Sequence, residues 1–229
     1  LTPMDGKQDR KFDVVTFDCY GTLIDWESGI AGAFLAAARE DGIALRREEV
    51  LREYAQTEPV VEREGFRLYR DVLTESATRV AHALGWALAF ERGTFLVSSL
   101  RHWEPFAETN RALERLRAAG YRLGILSNVD DDLLAATRRH FTVDFDFVIT
   151  AEQVRSYKPA HAHFLAAKAK IGDARWLHAA QSNHHDIVPS NQLGIANAWV
   201  NRKGEKALPG GTPGLEVRDL TALADALGA

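Results

Sequence analysis

Cysteine is almost absent from this chain. Its 229 residues include one, Cys19, which excludes an internal disulfide and a cysteine-based zinc site. A single thiol fits a reducing compartment. Long apolar runs are missing too, and none approaches the roughly 20 residues that span a bilayer. Residues 1–11 are polar and lack the apolar stretch of a secretion signal, so a cytoplasmic location is expected. Nor is there an excess of one charge. Lys plus Arg is 28 and Asp plus Glu is 32, a net charge of −4, which gives no global pull on nucleic acid or anionic membranes. Repeats and low-complexity segments are also lacking. What remains is 46% hydrophobic and 26% charged, the composition of an ordinary soluble globular protein. The length suits one large domain, or one domain with a smaller insertion.

Five short apolar runs read as strands buried on both faces: residues 12–17, 121–126, 145–149, 175–180 and 195–200. Helical patterns lie between the later ones, at 110–119, 131–140, 161–171 and 187–193, with Gly120, Gly172 and Gly194 where helices end. Strand alternating with helix predicts βαβ units and a parallel sheet, whose ligands bind beyond the C-terminal strand ends. The alternation fails between about 30 and 103, where helical patterns cover 30–40, 47–56, 64–84 and 93–101. An insertion after the first strand would lie over the active-site edge as a cap. The expected division is a core of 8–28 and 104–229 and a helical cap of 29–103. Residues 201–213 read as a surface loop.

The most specific signal begins at Asp18, an acid at the exit of a buried strand, followed by Cys19, Tyr20, Gly21 and Thr22. Three other strand ends can meet it if their strands are neighbours. They carry Ser127 and Asn128, Lys158 before Pro159, and Gln181, Ser182, Asn183, His184, His185 and Asp186.

With these residues the chain resembles the haloacid dehalogenase superfamily over essentially its whole length. Asp18 matches the first motif, Ser127 the second, Lys158 the third, and 182–186 the fourth. Each motif is short, but four in order, each after an expected strand, are specific together. The resemblance implies a doubly wound α/β core of the HAD-like, Rossmann-like kind, with an inserted α-helical cap. Most of that superfamily resemble Mg²⁺-dependent phosphatases, with Asp-x-Asp in the first motif and two carboxylates in the fourth. Here the second acid of the first motif is Tyr20, and the first acid of the fourth is Ser182. A hard cation needs charged oxygen ligands, so Asp18 and Asp186 alone make a poor site and no cofactor is expected. Position 20 also lacks the acid that would protonate an alkoxide leaving group. A halide departs as a stable anion and needs no such proton. Asp-x-Tyr-Gly-Thr and Ser-Asn-x-x-Asp are similar to the L-2-haloacid dehalogenase branch.

That resemblance implies attack by the Asp18 carboxylate on C2 of a 2-halocarboxylate, giving an aspartyl ester that water hydrolyses to a 2-hydroxy acid. Lys158 would hold Asp18 ionised. Thr22 and Ser127 would orient it and stabilise the oxyanion of ester hydrolysis. Asp186, with Asn183, would position the water. Asn128 would donate to the halide, Tyr20 would wall the pocket, and Ser182 would meet the substrate carboxylate or Lys158. An anion in a dry pocket must be paired, which calls for a cap arginine. Arg52 is the positional match, with Arg67 and Arg70 as rivals. The partners implied are a small 2-halocarboxylate and water, with a homodimer among the states the resemblance allows and no nucleic acid or membrane.

Three departures touch the pocket: Phe164 stands where the branch has tyrosine, His185 where an aromatic is usual, and Gln181 where it has serine. Other functions stay open on this reading. One is the same mechanism on another electrophilic carbon, such as that of a strained ring amino acid. Another is a phosphatase with a rebuilt metal site, and a third is a binding protein that kept the fold. His161, His163, His184 and His185 offer metal-ligand types, but adjacent histidines diverge and histidines two apart on a helix do not share a face.

Overall fold

The computed structural model describes residues 10–229, so the expected start of the core at residue 8 lies outside the described residues. The chain enters at β1 (Val14–Phe17) and then leaves the sheet for a helical excursion. This comprises α1 (Trp26–Glu40), α2 (Arg47–Arg63), α3 (Tyr69–Ala83), a short 3-10 turn (Phe90–Gly93) and α4 (Thr94–Leu100). It returns through α5 (Thr109–Ala118) to β2 (Arg122–Ser127), α6 (Asp131–Thr137), β3 (Phe147–Thr150), α7 (Ala151–Val154) and α8 (Ala162–Ile171). Then follow β4 (Trp176–Ala180), α9 (Val188–Gln192), β5 (Ala196–Val200), β6 (Leu215–Val217) and α10 (Leu220–Ala226).

The six strands form one sheet in the order β3-β2-β1-β4-β5-β6, every pair parallel. This is the expected doubly wound architecture, with one strand more than the sequence reading counted. β6 has three residues, too few to show a period. Side chains alternate across the strands and so build two apolar layers. Val15 and Phe17 pack with Leu123, Ile125, Leu113 and Leu223 on one side, whereas Val14, Leu126 and Ile149 pack with Phe164, Ala167 and Ile171 of α8 on the other.

β1 lies in the middle, between β2 and β4. Asp18 leaves its C-terminal end, Ser127 closes β2, and residues 181–186 leave β4. The three therefore gather at one rim of the sheet, at the point between β1 and β4 where the strand order reverses. Gly21 turns the chain there with φ of 95°, a conformation that disfavours side chains. A Cβ at that position would also meet Trp26 and Gln181 at 3.0–3.1 Å.

The helical excursion forms where expected, but its internal breaks differ. α1 starts at Trp26 instead of 30, because Asp25 caps it by accepting from the Ser28 N–H and Oγ. α2 runs through Pro59 to Arg63, and the expected helix of 64–84 begins only at Tyr69. Gly65, with φ of 131°, breaks the chain between them. The new start of α3 is fixed from the other side of the cleft: Asp130, just after β2, accepts from the Tyr69 and Arg70 N–H groups at 2.6 and 3.1 Å. No helix among the described residues is long and apolar enough to cross a membrane.

Candidate active site

A cavity of about 260 Å³ lies between the rim of the sheet and the helical excursion. Its floor is charged. Lys158 is 2% exposed, and its Nζ donates to Asp18 Oδ1 at 2.9 Å, Asp186 Oδ1 at 2.7 Å and the Leu126 carbonyl at 2.9 Å. All three ammonium hydrogens are thus spent. Thr22 donates from Oγ1 to Asp18 Oδ2 at 2.9 Å while accepting from the Gln181 N–H, so its hydroxyl is oriented. Burial pushes the Asp18 carboxyl up, with Lys158 opposing and Asp186 adding to the rise. Burial would also raise Asp186, but Lys158 and the His178 hydrogen bond outweigh it and hold that carboxyl well below the usual range. Burial would lower Lys158, yet the two aspartates keep it firmly protonated.

The network continues behind Asp186 into the sheet. His178 Nε2 lies 2.9 Å from Asp186 Oδ1, and its Nδ1 lies 2.8 Å from Thr16 Oγ1. Trp176 Nε1 donates to that same hydroxyl at 2.7 Å. An ionised carboxylate only accepts, so His178 Nε2–H donates to Asp186, while Trp176 donates to Thr16 Oγ1 and the Thr16 hydroxyl pairs with His178 Nδ1. Asp186 Oδ2, by contrast, is buried with no hydrogen-bond partner, and the same is true of Ser127 Oγ. Both residues line the cavity.

Several expected site residues meet at this floor: Asp18, Thr22, Ser127, Lys158 and Asp186. Tyr20 lines the cavity and is locked by its hydroxyl to Thr137 at 2.8 Å. Asn128 also lines it, but its amide is clamped on the Lys158 backbone, donating to the carbonyl at 3.0 Å and accepting from the N–H at 2.7 Å. One Nδ2 hydrogen remains for a ligand. Ser182 does not reach Lys158; its Oγ accepts from the His185 N–H and lies 3.0 Å from His185 Nδ1, capping the π-type turn Asn183–Ile187.

Other expectations need correction. Asn183 does not line the cavity. Its amide donates to the Gly211 carbonyl at 2.8 Å and accepts from the Leu208 N–H at 3.1 Å, so it anchors the 201–213 loop. None of the three arginines reaches the cavity. Arg52 is exposed, Arg67 donates to Glu64 and the Val61 carbonyl, and Arg70 pairs with Asp130 and Asp132. Phe164 lies behind the floor, its ring edge-on to His178 at 5.2 Å. The histidines do not converge on a metal: His161 meets Gln192, and His163 meets the Ser127 carbonyl. Among the described residues no three Asp, Glu, His or Cys side chains are placed to share an ion. With Lys158 taking both floor aspartates, the donor set does not fit a divalent cation.

The opposite wall was not foreseen. Glu58 and Glu62 of α2 line it, with Tyr54, Tyr69, Trp26 and Trp103. Tyr69 Oη donates to Glu58 Oε1 at 2.7 Å. The signal existed: Val50, Tyr54, Glu58 and Glu62 follow each other at steps of four, so the acids continue an inward-facing row. His178 and Thr16 gave no signal, because within a short apolar run they read as strand residues.

A family model described as haloacid dehalogenase-like hydrolase matches residues 12–183. The chain is 29% identical over 217 residues to (S)-2-haloacid dehalogenase H-109 of Pseudomonas putida, covering 92% of this chain and 96% of that one. It is 26% identical over 218 residues to an (S)-2-haloacid dehalogenase of Pseudomonas sp. strain YL, covering 92% of each. An L-2-haloacid dehalogenase of Xanthobacter autotrophicus, solved with chloropropionic acid covalently bound, superposes with a TM-score of 0.78 at 19% identity, over 95% of this chain and 99% of that one.

Proposed function

The chain belongs to the haloacid dehalogenase-like hydrolase family, and from that premise we propose that it hydrolyses a carbon–halide bond of a short 2-haloalkanoic acid through an ester on Asp18. The observation that carries the reading is the buried floor: one carboxylate held by Lys158 and Thr22, beside a second carboxylate with a free oxygen. Asp18 attacks carbon from the side opposite the halogen. The new C–O bond takes the place of the carbon–halogen bond, whose electron pair leaves with the halide. Water then adds to the Asp18 ester carbonyl, guided by Asp186 Oδ2, and its proton passes to that carboxylate. The tetrahedral oxyanion is met by Ser127 Oγ, whose hydroxyl has no other partner. Collapse of the tetrahedral species breaks its bond to the alkoxide, which takes the proton from Asp186 and leaves as the alcohol, and Asp18 loses its own proton to solvent to return as a carboxylate.

The relatives' names and the chloropropionic acid bound covalently in the Xanthobacter enzyme support this chemistry for the present chain. The reaction is read as metal-independent, since both floor carboxylates are engaged by Lys158. The segment 29–103 is read as a cap, because it contributes Ile30, Tyr54, Glu58, Glu62, Tyr69 and Trp103 to the cavity opposite the core residues. A second reading has the same attack open the ring of a strained cyclic amine, the C–N electron pair leaving with nitrogen. Glu58 and Glu62 favour it, since they suit an ammonium.

Halide release from the enantiomers of 2-chloropropionate, from chloroacetate and from fluoroacetate, with and without EDTA, is the direct test. Release that survives EDTA and vanishes in Asp18→Asn is expected. Phosphate release from a general phosphatase substrate, restored by Mg²⁺, would replace the reading with a phosphatase.

A further inference from the structure

Displacement at carbon fixes where the halogen must lie. A carboxylate attacking from behind leaves the departing group on the far side of the carbon, in line with the new bond. Asp18 stands on the floor of the cavity, so the halogen points at the opposite wall, which α2 builds with Tyr54, Glu58 and Glu62. Asn128 is on the wrong side to meet it. Its amide is clamped to the backbone of Lys158, whose ammonium holds Asp18. The spare Nδ2 hydrogen there is left for the substrate carboxylate.

A halide leaving carbon gathers negative charge, and in a site closed to water it needs a hydrogen-bond donor. One donor on the far wall has nothing to bond. Tyr54 is 2% exposed, and its hydroxyl lacks a hydrogen-bond partner. A buried hydroxyl left in that state costs stability that a phenylalanine in the same place would keep. Tyr69 beside it gives its own proton to Glu58 Oε1 at 2.7 Å. Burial pushes the Tyr54 phenol well up, so it keeps its proton. Burial also raises Glu58, and raises Glu62 to about 9. Both acids are thereby moved toward the neutral form, which spares a departing anion their charge. Trp26 packs beside Tyr54 with ring centroids 6.0 Å apart, and both line the cavity.

We propose that Tyr54 is a catalytic residue, donating a hydrogen bond to the halide as it leaves carbon. This deepens the proposed function and rests on its displacement by Asp18. The phenol O–H meets the halogen as the electron pair of the carbon–halogen bond moves onto it. The proton stays on Tyr54, and the halide departs as the free anion. The better the halide accepts hydrogen bonds, the more the donor matters: fluoride most, then chloride, then bromide.

Leaving-group dependence, measured on the whole protein, tests this. kcat/KM is compared for fluoroacetate, chloroacetate and bromoacetate in wild type and Tyr54→Phe. That ratio reports the displacement, which is the first irreversible step. The variant lacks only a hydroxyl that bonds to no other group, so the fold is kept. Tyr54→Phe should lower kcat/KM by about tenfold to a hundredfold for fluoroacetate, about tenfold for chloroacetate and about threefold for bromoacetate. Inhibition by chloride should weaken about tenfold, while inhibition by acetate stays unchanged. Equal losses for the three acids would give Tyr54 a packing role, and no loss would leave its hydroxyl idle. Either result overturns the assignment, as does an unchanged inhibition by chloride. Wild type that turns over these acids with such a flat response in the variant removes the halide donor alone. Wild type that releases no halide from any of them removes the dehalogenating reading and the donor with it.

Discussion

A single ammonium holds the floor of this cavity together. Lys158 separates two buried carboxylates, and removing it would leave both uncompensated. Lys158→Ala is expected to cost about 3–5 kcal/mol of stability, measured by urea denaturation, besides abolishing turnover. His178 acts on Asp186 from behind. His178→Phe should reduce turnover more than it changes KM, because the cavity wall is untouched while the water-guiding carboxylate loses its orientation. A proportional loss in stability alone would assign His178 a packing role. Asp18 makes a prediction through its own ionisation. Its raised carboxyl must be deprotonated to attack, so the acid limb of kcat/KM should fall at a pH above 3.8, the ordinary aspartate value. At this scale the sequence was informative where a residue type stood at a strand exit. Asp18, Ser127 and Lys158 could be picked out because they stand in order, each after an expected strand, and are specific only together. His178 could not, since one polar residue in a buried strand reads as part of the strand until its neighbours across the sheet are known.

Among the elements, α3 depends on a contact distant in sequence. Its first N–H groups and Arg70 all meet Asp130, which is 1% exposed and follows β2. The carboxylate serves as the helix cap that Leu68 cannot provide. Asp130→Ala should cost about 1–2 kcal/mol, seen in the urea midpoint, and should raise KM by loosening the wall that carries Tyr69. The same contact explains why the helix start was misplaced. Periodicity alone extends the pattern back to 64, whereas Gly65 and an acid some 60 residues away set the true boundary. The arginine expectation failed for a related reason. Arg67 and Arg70 lie near the cavity in sequence pattern, but each is engaged by acids closer to hand. The alternation of strands and helices from α5 to β5, by contrast, depends on local period and is found as expected, with β6 and α10 added beyond it.

For the molecule as a whole, buried titratable groups shape stability. Glu62 is raised from 4.5 to about 9, with burial as the main cause. Between those values the native state keeps a proton that the unfolded chain gives up, so stability falls as pH rises. His163 and His185 are lowered by burial from 6.5 to about 3 and about 4. The unfolded chain binds protons there that the native state refuses, so stability falls as pH drops below 6.5. Above that point the histidines contribute no slope and the acids remain. Urea midpoints should therefore decline from pH 6.5 to 9, and Glu62→Gln should flatten that decline. A variant with the same slope as the parent would mean that Glu62 is ionised throughout. None of this follows from net charge or composition, which count every ionisable group alike and do not say which few lie inside.

The nucleophile is the claim on which the rest depends. A single turnover in ¹⁸O-water, followed by mass spectrometry of the peptide containing Asp18, tests it most directly. One ¹⁸O in the Asp18 carboxylate and none in the released alcohol is the predicted result; label in the alcohol with an unlabelled Asp18 would show that water attacks the substrate carbon itself.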